Sequence, residues 1–122
     1  CSPDSEECTR IQFYRNRGYK SRKFDRECAD SLITIDSSSS SILPDALSRA
    51  PETASVYLDQ AERLRLRVFI DRSVVEVFVN DKQCVAMRVY PGREDSTGVS
   101  IRSQGRDIEL ISLDMWELAT IY

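Results

Sequence analysis

Between Leu64 and Met87 apolar and polar residues alternate in three consecutive runs, and the registers of those runs interlock so tightly that an antiparallel sheet is the natural outcome. Leu64, Leu66, Val68 and Ile70 alternate with Arg65, Arg67, Phe69 and Asp71, and Val75, Val77 and Val79 alternate with Val74, Glu76 and Phe78. A two-residue turn at Arg72-Ser73 sets Ile70 against Val75, Val68 against Val77 and Leu66 against Val79, with every aliphatic residue on one face. A three-residue loop, Asn80-Asp81-Lys82, then sets Val77 against Val85 and Val75 against Met87. Shifting either turn by one residue would send charges such as Arg88 to the apolar side. On the other face Glu76 falls diagonal to Arg67 and Arg88, a surface charge ladder worth little pair by pair.

A third hairpin is expected at Ser103-Gln104-Gly105-Arg106-Asp107, where glycine at the first central position suits a type II′ turn. It pairs Ile101 with Leu110 and Arg102 with Glu109, and the strand continues towards Trp116. Earlier in the chain, residues 10–15 and 31–36 read as strands, 16–30 as a charged loop, and 55–59 as a weak strand or helical turn. The serine run 37–41, with Pro44 and Pro51 behind it, predicts a long loop over about 37–54. No stretch has helical periodicity. The expectation is one all-β domain, an antiparallel two-sheet β-sandwich of jelly-roll or concanavalin-like type over residues 10–122, preceded by a tail or linker at 1–9.

The chain has 122 residues, enough for one packed core, and its net charge of −3 supplies no cationic excess for a nucleic-acid partner. No apolar run is long enough for a membrane-spanning helix, so no membrane partner is expected. Histidine is absent, which removes the usual general base and the usual metal ligand. Cys1, Cys8, Cys28 and Cys84 form no CxxC pair, so no metal site and no cofactor are expected. In an oxidising compartment one disulfide among Cys1, Cys8 and Cys28 would staple the amino-terminal segment, leaving Cys84 as a small buried hydrophobe. An extracellular or periplasmic location is the favoured expectation. The start at Cys1, without methionine, reads as a processed product or an excised piece.

The blocks Asp71-Arg72-Ser73-Val74-Val75-Glu76-Val77-Phe78, Arg88-Val89-Tyr90-Pro91 and Ser112-Leu113-Asp114-Met115-Trp116 resemble, in order and spacing, the carboxyl terminus of glycoside hydrolase family 32, the invertases and fructanases. Asp71, Arg72, Ser73, Glu76, Arg88 and Trp116 carry that structural signature. The resemblance implies a sandwich packed on a five-bladed catalytic propeller, which is absent from this sequence and which splits fructosyl bonds by a retaining mechanism. It also implies a nucleophile in Asn-Asp-Pro, a stabilising aspartate in Arg-Asp-Pro and an acid/base in Glu-Cys. The first two motifs are missing; Glu27-Cys28 is present, but in the charged loop.

A retaining glycosidase needs two carboxyls roughly 5 Å apart, one of them held protonated. Asp25 with Glu27, Asp71 with Glu76, and Glu94 with Asp95 are the close acidic sets, and each reads more simply as a loop, turn or strand charge. No catalytic residue is therefore expected. Tyr90, Trp116 and Tyr57 are the candidates for stacking on a sugar ring, although Trp116, following an apolar strand, is expected to be buried between the sheets or against a neighbouring domain. The expected partners are a catalytic propeller domain, a fructan or other saccharide, and a second copy in a homodimer. The leading function is a non-catalytic module stabilising the propeller of a family 32 enzyme; the alternative is a free-standing carbohydrate-binding module.

Overall fold

The computed structural model describes residues 1–23 and 26–119, with the strand residues between 21 and 28 described through their backbone alone. The chain is all-β, with eight strands and no helix among the described residues. The interlocked segment forms β6 (Leu66–Asp71), β7 (Val74–Val79) and β8 (Gln83–Arg88) in one antiparallel sheet of order β6-β7-β8. Its register is the one the alternation dictates: Val68 faces Val77, which faces Val85, and Ile70 faces Val75, which faces Met87. Both turns place non-glycine residues in the left-handed region, Arg72 at φ 50° and Asn80 and Asp81 at φ 51° and 54°, as tight hairpins of right-twisted strands require.

The second sheet has the order β1-β4-β5, from β1 (Cys8–Tyr14), β4 (Ser31–Ser39) and β5 (Glu52–Val56). Here the boundaries differ from those expected. β1 starts at Cys8, and Cys8 opposite Ser39 extends β4 into the serine run, across a register shift between Cys8 and Arg10. Small hydroxylated residues carry no burial signal, yet their backbone completes the ladder, and Thr9 Oγ1 and Ser40 Oγ lie 2.8 Å apart beside it. The loop therefore spans 40–51 rather than 37–54. β5 lies earlier than the expected 55–59 because its register on β4 runs from Ile35 opposite Glu52 to Ser31 opposite Val56. Within the expected charged loop, β2 (Lys20–Lys23) and β3 (Arg26–Ala29) form a separate hairpin, closed at its base by Gly18 N donating to Asp30 O at 2.6 Å. Backbone pairing alone sustains such a ribbon, so no hydrophobic pattern announces it.

The core lies between the two sheets. Ile33 and Ile35 of β4, with Val56 and Leu58, meet Val75, Val77, Val79, Val85, Met87 and Val89; Ile11, Phe13 and Ala54 pack at its margin. Each such aliphatic residue contributes ~1.5–3 kcal/mol when fully buried. Alternation also explains why Cys84 is exposed instead of buried: Val85 and Met87 take the inner face, so Cys84 must face out.

Residues 99–119 contain no strand. The expected third hairpin is unpaired, although its turn is in place, with Gly105 at φ 93° and Ser103 Oγ donating to Arg106 O. Trp116 is 79% exposed, not enclosed by the sheets, because no partner strand holds its segment against them. The expected amino-terminal tail, in contrast, is tied to the body: Cys1 and Cys8 form a disulfide, and Cys1 and Gly98 exchange backbone hydrogen bonds of 2.6 and 2.9 Å.

Candidate functional site

Where the serine run leaves β4 it faces the end of β8 across a shallow cleft. Ser37, Ser38, Ser40, Ser41 and Ser48 contribute hydroxyls to one wall, Arg88, Val89 and Tyr90 form the other, and Ala46 and Leu47 complete it. Three properties make it the best-formed recognition surface among the described residues. Tyr90 is 49% exposed, so its ring face is open. Arg88 projects on the outer face while Val89 beside it is buried, and among the described residues the Arg88 guanidinium has no hydrogen-bonded or ion-paired partner. The serines supply donors and acceptors at hydroxyl spacing. Flat ring, free guanidinium and convergent hydroxyls are the elements with which proteins hold polyhydroxylated ligands.

The other aromatic candidates are elsewhere. Tyr57 is half-buried and its hydroxyl donates to Asp59 Oδ1 at 2.9 Å, within a polar knot at the start of the second half of the chain. In that knot Glu62 accepts from Lys82 Nζ (2.7 Å), Asn80 Nδ2 (3.0 Å) and Asp59 N (3.1 Å), which holds its carboxyl down at about 2. Trp116 lies on the unpaired carboxyl-terminal segment and does not line the cleft. Of the signature residues, Asp71 closes β6 opposite Val74, and Arg72 and Ser73 make the turn, where Ser73 O accepts from Val89 N at 2.8 Å. Glu76 sits between Phe69 and Ala86 and forms no ion pair among the described residues; Arg67 instead reaches Asp81 at 3.5 Å, alongside Arg65. The proposed ladder is thus replaced by a cluster around the turn, where Asp81 lies closer to both arginines.

A second cluster escaped the sequence reading altogether. Glu7 is 1% exposed, and its carboxylate accepts from Gly92 N (2.6 Å), Ile42 N (2.9 Å), Arg93 N (3.1 Å) and Ser96 Oγ (2.5 Å). Burial pushes this carboxyl up, but the hydroxyl of Ser96 and the three amides outweigh it and hold it at about 2. Just outside, Arg93 makes a two-point contact with Asp95, both at 2.8 Å, and reaches Asp4 at 2.6 Å and Glu6 at 3.3 Å. Hydrogen bonds from Ser2, Glu6 N and Arg93 bring Asp4 to about 2, and Arg93 lowers Asp95. The only local sign of this cluster was the pair of cysteines flanking Glu7.

Asp25 lies outside the described residues, as do the side chains of Glu27 and Cys28. Among the described residues no group of three or more Cys, Asp or Glu is placed to hold a metal ion. Asp71 and Glu76 are separated along the sheet by the turn, and Asp95 is engaged by Arg93.

The family model described as glycosyl hydrolases family 32 C terminal matches residues 1–117. The chain belongs to this family. Known relatives of the family 32 domain include a raffinose invertase of Escherichia coli, 43% identical over 65 residues, covering 52% of this chain and 13% of the relative. A sucrose-6-phosphate hydrolase of the same organism is 42% identical over 59 residues (42% of this chain, 12% of the relative), and a levanase of Bacillus sp. (strain L7) is 35% identical over 63 residues (52% and 7%). The family 32 domain thus matches only a small fraction of the length of these relatives. No solved structure matches it significantly.

Proposed function

We infer that this chain is the non-catalytic sandwich module of an enzyme that hydrolyses fructosyl bonds, and that it braces the catalytic domain. The observation that carries this reading is the direction in which its carboxyls shift. A retaining glycosidase needs one carboxyl raised so that it stays protonated. Here Asp4, Glu7, Asp36, Glu62 and Asp95 are all lowered, each by hydrogen bonds or an ion pair that fastens one segment to another. These acids secure the fold instead of donating protons. Membership of the family supports the parentage, and relatives named for raffinose, sucrose 6-phosphate and levan support a fructosyl substrate class for the parent. The reading is tested by mixing the purified chain with sucrose, raffinose and levan and measuring reducing-sugar release: none is expected, and turnover by the chain alone overturns it. Deleting the module from the parent enzyme should lower the melting temperature of what remains.

The Tyr90–Arg88–serine cleft favours a second role, contact with saccharide. Calorimetric titration with inulin, levan and sucrose should give weak binding that Tyr90→Ala abolishes. Absence of heat with all three leaves the bracing role alone.

A further inference from the structure

β6 is the edge strand of its sheet, and its inner row is uncovered. Leu66, Val68 and Ile70 point to the same side as Val79, Val77 and Val75, yet they are 39%, 41% and 60% exposed, whereas the three valines are at most 3% exposed. The same molecule carries an unpartnered segment of matching pattern. With the turn at Gly105 and Ile101 set opposite Leu110, the residues Val99, Ile101, Ile108 and Leu110 fall on one face, and Ser100, Arg102 and Glu109 on the other. All four of the first set are exposed. Two complementary apolar surfaces in water on one chain are an unstable arrangement unless something joins them.

We propose that residues 99–113 close as a β-hairpin over the Leu66–Val68–Ile70 row, adding a strap that completes the core on the β6 side. The turn is already formed, with Gly105 at φ 93° and Ser103 Oγ bonded to Arg106 O, so only the arms need to pair. The root is fixed, because Gly98 N donates to Cys1 O at 2.9 Å while Glu7 holds Gly92 and Arg93. The fifteen residues beyond that anchor reach up to ~50 Å when extended, ample for crossing a small domain. Closure within one molecule wins over pairing with a second copy because the tether keeps the strap at high effective concentration.

Hydrogen exchange on the full chain, read by mass spectrometry at several protein concentrations, tests the proposal. Amides of residues 99–113 should be protected by about tenfold or more over an unfolded peptide, independently of concentration. Exchange at the unfolded rate overturns the strap, and protection that grows with concentration overturns it in favour of a dimer contact. Leu110→Lys supplies a second readout. At its observed 57% exposure the substitution would be neutral, but a closed strap predicts faster exchange in both 99–113 and β6, whereas Ser100→Lys leaves both unchanged. Equal behaviour of the two variants overturns the proposal.

Discussion

Glu7 shows how much one buried carboxylate can organise when every oxygen is answered. Its four donors come from the loop after β4 and from residues 92–96, so one side chain joins segments more than eighty positions apart. Because its folded value of about 2 lies below the ordinary 4.5, its stabilisation is complete above pH 4.5 and is lost as the pH falls towards 2. Glu62, also held at about 2, contributes over the same window. Thermal melts between pH 7 and 2 should therefore be flat above about pH 5 and fall steeply below. Glu7→Gln places an amide NH2 against N–H donors; it should lower the melting temperature at neutral pH by on the order of 5 °C or more and flatten the acid slope. Nothing in the local sequence distinguishes Glu7 from Glu6, since its burial is decided by donors far along the chain. Tyr90 was legible as a candidate because it follows Arg88 at the end of an alternating strand; the serines opposite it were not, because a loop's path leaves no periodic trace.

Among the elements, the β6-β7-β8 meander was readable residue by residue, because two turns of fixed length must each keep all aliphatics on one face. Val77 is fully buried at its centre, so Val77→Asp should cost about 4–5 kcal/mol, enough to abolish cooperative unfolding in a denaturant titration. Glu76→Ala, on the outer face without an ion pair among the described residues, should change stability by less than about 0.5 kcal/mol. The turns separate backbone from side-chain effects. Arg72→Gly relieves a left-handed φ of 50° and should stabilise by up to about 1 kcal/mol. Asn80→Gly relieves a similar φ but deletes the bonds of Asn80 to Arg65 N, Arg63 O and Glu62, and should destabilise by about 1–2 kcal/mol. The first sheet was only partly legible: β4 continues through serines, and the β2–β3 hairpin carries no apolar face, so neither could be read from hydrophobic period.

At the scale of the whole molecule the expected sandwich is present, but its carboxyl-terminal third is less integrated, and its amino terminus more so, than the sequence suggested. The apolar residues of 99–119 signalled strands correctly as a pattern; what pattern cannot supply is the neighbour that turns a run into a ladder. The amino-terminal segment lacks any pattern and is held by a disulfide and by Glu7. Reduction of Cys1–Cys8 releases a short loop around Glu7 and should destabilise the chain by about 2–3 kcal/mol, measurable as a lower melting temperature in a thiol reductant. The loss should be smaller in the Glu7→Gln background, where the loop has less to hold.

The reciprocal backbone bonds between Cys1 and Gly98 put the point where the chain enters the body next to the point where residues 99–119 leave it. Any polypeptide joined ahead of Cys1 would therefore meet that departing stretch at a common hinge post. A tug on the upstream side would be felt first at the base of the outgoing one, without passing through the sheets at all.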